Sequence, residues 1–166
     1  MTRMQRMTAL DRKRRSGAVT IPTITVHNRQ RAMRVNLETW REFAKHALRA
    51  CLEIPEKKSG VLTKLPQVDV VFVSDRRISE LHRRFLHQPG PTDVITFHHG
   101  EIFVSTETAR KQARRFGNSI EQEIRLYIAH ALLHLHGFDD KDRRTAAEME
   151  RIQEKLVARA LRCSLR

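Results

Sequence analysis

The chain has 166 residues, 40 % hydrophobic and 5 % aromatic, with 32 Lys and Arg against 19 Asp and Glu and a formal net charge of +13. That length bounds it to one domain with a single core, no stretch is long and apolar enough to span a membrane, and the N-terminal region holds no apolar signal core. The charge points to a polyanion as partner, nucleic acid ahead of an anionic membrane, and Cys51 and Cys163, in no zinc-ribbon or CxxC pattern, read as reduced cysteines of a cytoplasmic protein.

Residues 1–20 carry Arg3, Arg6, Arg12, Lys13, Arg14 and Arg15 against the acid Asp11 and lack apolar periodicity. They read as a disordered basic arm, and residues 21–166 as a single folded domain. Ile21 to Gln30 suits a first strand, with Ile24 and Val26 alternating. Asn36 is placed to cap a helix from Leu37 to about Leu52 whose apolar face is Trp40, Ala44, Ala47, Leu48 and Cys51. After a polar loop at Glu56–Gly60, Val68–Val73 is apolar and β-branched, the pattern of a strand buried on both faces. Ser74 then caps a short helix with Ile78, Leu81 and Phe85 inward.

Gln88–Pro91 reads as a turn. Asp93–Phe97 and Glu101–Val104 follow as a hairpin around His98–Gly100. Ser105 opens a basic helix with Ala109, Ala113 and Phe116 on one side, ended by Gly117. Ser119 and Gln122 form a capping-box pattern in front of a helix that is apolar almost all round and therefore buried. Thr145 with Glu148 suggests another box, opening a last helix that buries Met149, Ile152, Leu156 and Ala160. The expected architecture is α/β or α+β: a small mixed four-stranded sheet packed with about five helices.

The central helix carries the chemistry, in Leu126–Asp140, LYIAHALLHLHGFDD. His130 and His134 stand four apart, hence one above the other on one helix face. Gly137 ends the helix, and the reversing chain can bring a carboxylate back toward the imidazoles. Two helix ligands and one from the closing segment make a metal site that leaves a fourth position on zinc open, the arrangement of a catalytic centre. Asp140 is preferred over Asp139 as third ligand, with Asp139 as a hydrogen-bond acceptor behind the ligands. His136 points elsewhere on the helix. The spacing H-x-x-x-H-x-x-G-x-x-D is also that of metzincin proteases, but the general-base Glu beside the first His is replaced by Ala131, which cannot take a proton. His82, His87, His98 and His99 collectively could line a cleft near the hairpin. Arg83 and Arg84 on one helix and Arg110, Lys111, Arg114 and Arg115 on the next fit a phosphate track beside it.

HALLHLHGFDD resembles the H-G-x-L-H-L-x-G-Y-D-H signature of the YbeY family, endoribonucleases of bacterial ribosomal RNA maturation, and LHRRFLHQPGPTDVITF resembles that family's segment ending T-D-V-L-S-F. The order of elements agrees from about Ile24 to Leu161. The resemblance implies a cytoplasmic α/β metalloprotein with one zinc ion on His130, His134 and position 140. It implies cleavage of single-stranded RNA in 16S rRNA processing and ribosome quality control, with the small ribosomal subunit and an Era-type GTPase as partners. Two positions depart from the pattern. Asp140 replaces a third His, lowering the formal charge of the centre and favouring harder metals. Leu86 follows Phe85 where the family places an Arg that serves the catalytic cleft, a role Arg84 or Arg83 would have to supply from the previous turn. The competing expectation is a ribosome-assembly factor with a structural zinc that binds RNA without cutting it.

Overall fold

A computed structural model describes residues 21–164; the basic arm read from the sequence lies outside them. The elements in order are β1 (Thr23–Asn28), α1 (Leu37–Leu52), a short 3₁₀ turn (Leu62–Lys64), β2 (Gln67–Val73), α2 (Asp75–Leu86), β3 (Val94–Thr96), β4 (Glu101–Ser105), α3 (Thr106–Phe116), α4 (Ile120–Leu135) and α5 (Arg143–Ser164). The sheet runs β1-β2-β4-β3, with β1, β2 and β4 parallel and β3 antiparallel to β4. This is the mixed four-stranded sheet with five helices that the patterning predicts.

The two faces of the sheet differ. Val68, Val70 and Phe72 of β2, with Ile102 and Val104 of β4, are fully buried and join the main core against α1, α4 and α5. On the other face α2 covers only Val73 and Ile95, through Ile78 and Leu81, and leaves Val71 and Phe103 half-buried. The expectation that β2 is buried on both faces therefore holds for one face only. Helix α2 is short and crosses one end of the sheet. Phe85 and Phe116, expected on inward faces, are both exposed. Each sits in the last turn of its helix.

The caps explain the boundaries. Asn36, Ser74, Ser105 and Ser119 each accept a bond from the first turn of the helix that follows, and Ser119 with Gln122 makes the full reciprocal box. The cap of α5 is Asp142, not Thr145. Its carboxylate accepts from the backbone N–H of Arg144 and Thr145, while Thr145 Oγ1 accepts from the Asp142 N–H. Asp outbids Thr here because its carboxylate accepts two such bonds and carries the charge that the helix start favours.

Asp75 ties α2 to α3. Its Oδ1 accepts from Ser105 Oγ (2.6 Å) and Thr108 Oγ1 (2.7 Å), and its Oδ2 pairs with Lys111 Nζ at 2.6 Å. Burial pushes the Asp75 carboxyl up, but the bonds from Lys111, Ser105 and Thr108 outweigh it and hold the group below the ordinary aspartate value. The folded state thus prefers the carboxylate. The stability this confers is complete above pH ~4 and is lost as the pH falls through the lower folded-state value. Asp75→Asn keeps an oxygen that accepts from Ser105 and Thr108 but removes the charge and sets an NH2 group against Lys111 Nζ. Chemical denaturation at neutral pH should show a loss of about 1.5–3 kcal/mol, shrinking as the pH is taken below ~4.

Candidate metal centre

Helix α4 is buried on nearly all sides: Ile124, Tyr127, Ile128, Ala131, Leu132, Leu133 and Leu135 pack against α1, α3, α5 and the sheet. Its burial fixes its rotation, and the face left partly open is the one that bears His130 and His134. Their Nε2 atoms are 2.9 Å apart, and the rings meet nearly edge to face at 88°. Asp140 returns from the turn with Oδ2 3.7 Å from His130 Nε2 and Oδ1 3.8 Å from His134 Nε2. The three donor groups each offer one atom within 4.8 Å of the others.

The far side of each ring explains the near side. His134 Nδ1 lies 3.1 Å from the carbonyl oxygen of Phe138, which can only accept, so that nitrogen carries the proton. His130 Nδ1 lies 3.0 Å from Oε1 of Gln153 on α5. Both rings are thereby held as the Nδ1–H tautomer, with the Nε2 lone pairs facing one another. Two lone pairs at that distance repel unless a cation lies between them and the carboxylate. The donor set, two neutral imidazoles and one carboxylate, fits a zinc-type ion. Burial, followed by the neighbouring His130, pushes His134 below the ordinary imidazole value and keeps it neutral near pH 7, the ligating form.

The turn that delivers Asp140 is clamped. Gly137 has φ +90°, and a Cβ there would come within 2.6 Å of the backbone nitrogen of Gly60. The segment 57–61 is stitched to this turn by Lys57 N–H to His136 O (3.0 Å), Val61 N–H to Leu135 O (2.8 Å) and Ser59 Oγ to Gly137 O (3.2 Å). His136 is fully buried with Nε2 2.6 Å from Ile54 O, so it is an anchor pointing away from the ligands, as its helical position predicts. Burial raises the Glu56 carboxyl, but two bonds from Thr63 hold it below the usual range, and its Oε1 lies 3.8 Å from His136 Nδ1.

The ligands open into a cleft of about 440 Å³ whose walls include Leu86, Asp93–Thr96, His98 and the turn from Gly137 to Lys141. Its charged side chains are Asp93, Asp139 and Asp140 against Lys141, so the cleft itself is acidic. Of the four loop histidines only His98 lines it. His82 bonds to Gly90 O, His87 forms the left-handed end of α2, and His99 pairs with Glu101. Asp139 is not the acceptor behind the ligands; that place belongs to Gln153 and the Phe138 carbonyl, and the contact of the Asp139 carboxylate is the Lys141 N–H at 3.5 Å. The basic runs do not line the cleft. Arg84 lies over the Phe85 ring, Lys111 is paired to Asp75, and Arg110 donates to Ala32 O. Sequence reasoning misses Gln153, and it reads Asp93 only as the start of a strand, which in the structure begins at Val94. Gln153 left a trace: it is an amide on the buried stripe of α5 between Met149 and Leu156, where a polar group needs a partner.

Fold and site together define a class, small mixed α/β proteins with a His, His and Asp group at the end of a buried helix that could hold a metal ion. Within it the chain belongs to the YbeY family: the Endoribonuclease YbeY family model matches residues 25–160. Relatives named endoribonuclease YbeY include one from Synechococcus sp. strain CC9605, 38 % identical over 101 residues, covering 52 % of this chain and 61 % of the relative. Another, from Beutenbergia cavernae, is 33 % identical over 108 residues, covering 55 % and 72 %. The matched segment thus spans less than two thirds of the Synechococcus relative's length. The solution structure of TM1509 from Thermotoga maritima superposes with a TM-score of 0.58 at 27 % identity, over 83 % of this chain and 89 % of that one.

Replacing Gln153 by Leu keeps the side-chain volume and removes the acceptor behind His130. Zinc affinity, measured by competition with a chelating dye, should fall about 10- to 100-fold, with the metal-free melting curve nearly unchanged.

Proposed function

We propose that this chain is a zinc-dependent endoribonuclease that hydrolyses phosphodiester bonds in single-stranded RNA, acting in 16S ribosomal RNA maturation and ribosome quality control. The observation that carries the reading is the pair of imidazoles with proton-bearing Nδ1 atoms tied back and Nε2 atoms aimed, with Asp140, at one point. Family membership supports RNA as substrate. The resemblance in the signature segments supports the small ribosomal subunit and an Era-type GTPase as partners in the cytoplasm. Among the described residues no helix is long and apolar enough to cross a membrane.

His130 and His134, through Nε2, and Asp140, through its carboxylate, would hold one zinc ion. Bound there, zinc supplies Lewis-acid activation of water and of the phosphoryl group. The chain's own residues supply the rest. Asp93, whose Oδ1 is fixed by the Val94 N–H at 2.8 Å and by Thr92 Oγ1 at 3.1 Å, is the carboxylate of the β3 wall of the cleft that would act as the proton acceptor. Lys141 is the cation of the cleft and offsets phosphate charge at its rim. The acidic lining disfavours a phosphate backbone, and a bound cation would lessen that repulsion. Basic residues outside the cleft attract the polyanion at longer range, and affinity falls steeply with added salt. Ala131 is fully buried in α4 and brings no proton acceptor to the ligands, which argues against peptide hydrolysis.

The test is cleavage of a single-stranded RNA by protein freed of contaminating nucleases. Chelation should abolish cutting and zinc should restore it, while a His134→Ala protein with an intact circular-dichroism spectrum should neither retain zinc nor be restored. Binding of RNA without cutting under all these conditions would instead make the protein a non-cleaving assembly factor with a structural zinc.

A further inference from the structure

Behind the rim of the metal cleft lies a second depression of about 870 Å³, lined by Arg77, Arg83, Arg84, Phe85, Phe97 and Phe103 among others. Phe85 stands 49 % exposed at the end of α2, an expensive place for a phenyl ring. It meets Phe97 edge to face, with centroids 5.2 Å apart at 80°. Phe97 in turn stacks on His99 at 5.5 Å and 20° and crosses Phe103 at 5.9 Å. The guanidinium of Arg84 sits 5.3 Å above the Phe85 ring. Arg76 and Arg77 of α2 are paired with Glu80; Arg83 and Arg84 make no ion pair among the described residues.

The two depressions share a wall. Consecutive residues alternate between them: Leu86 and His98 face the metal cleft, and their neighbours Phe85, Phe97 and His99 face the aromatic surface. A strand leaving the cleft over Leu86 and His98 arrives on the Phe85–Phe97 pair. An apolar partner protein would favour a surface depleted of charge at its centre. Aromatic rings beside Arg83 and Arg84, which make no ion pair among the described residues, instead suit an unstacked base with its phosphates, and the acids of the depression, Glu80 and Glu101, are paired with Arg77 and His99.

We propose that Phe85, Phe97 and His99, with Arg83 and Arg84, form a stacking platform that holds nucleobases of single-stranded RNA beside the metal cleft. The proposal rests on the RNA reading above and adds to it a binding surface, with Arg84 contacting the RNA away from the metal.

Zinc-loaded full-length protein and a short, fluorescently labelled, cleavage-resistant 2′-O-methyl phosphorothioate strand test it by anisotropy. Phe85→Ala and Phe85→Leu should each weaken binding about 5- to 100-fold, and Phe85→Tyr should bind as the unaltered protein does. A strand of equal length and charge made abasic at successive positions should lose the same factor at one register with the unaltered protein, and nothing further with Phe85→Ala. Zinc content and melting temperature of the variants should stay the same, since the ring is half exposed. Phe85→Leu binding as tightly as the unaltered protein would overturn the platform, and so would equal binding of every abasic strand. If the unaltered protein cuts RNA while Phe85→Ala binds it undiminished, the platform alone fails. If the unaltered protein neither binds nor cuts RNA, the platform falls together with the nuclease reading.

Discussion

The contact on which the site depends is backbone against backbone: Gly137 pressed onto Gly60. No side chain fits between them, and the left-handed turn at Gly137 has a φ that other residues adopt at a cost. This packing sets where α4 ends and how sharply the chain reverses, and so where Asp140 arrives. The segment 57–61 holds the reversal by bonding to the carbonyls of Leu135, His136 and Gly137. These are the carbonyls a helix end leaves without partners inside the helix. Capping the helix and building the site are therefore one act. The buried His136, fastened to Ile54 O, anchors the same strap from the helix side.

The electrostatic design has two scales. Over the whole chain the balance is strongly basic, which favours a polyanion at a distance. At the ligands the balance reverses, with carboxylates predominating. Neutral imidazoles with fixed tautomers and an acidic rim are the surroundings that would hold a cation. The aromatic surface beside it adds a sequence-tolerant grip that charge alone does not provide.

Much of this was legible in the residues. The i, i+4 histidines, Gly137 and Asp140 were legible as one cluster because helix periodicity is local, and α4 read as buried because its apolar residues leave no polar face. Side-chain caps at Asn36, Ser74, Ser105 and Ser119 were equally local. What the sequence hid depends on tertiary placement. Phe85 and Phe116 keep helical phase with residues that are buried, and only the length of the contact decides that they are not. β2 is apolar enough for two covered faces, but α2 crosses too near one end to cover the second. Gln153 reaches His130 from a helix distant in sequence, and the carbonyl of Phe138 carries no signature at all. The direction of Arg84, toward Phe85 and not toward the ligands, follows from the rotation of α2 on the sheet.

The central claim is that both imidazoles ligate through Nε2 while their Nδ1 protons are held by Gln153 and Phe138. Long-range nitrogen–proton correlation spectra of ¹⁵N-histidine-labelled protein, recorded during a zinc titration, measure this directly. The account predicts that the Nε2 signals of His130 and His134 move together to metal-bound positions at one equivalent of zinc while Nδ1 stays protonated. Spectra in which these nitrogens do not respond to zinc, or in which Nδ1 loses its proton to the metal, would contradict it.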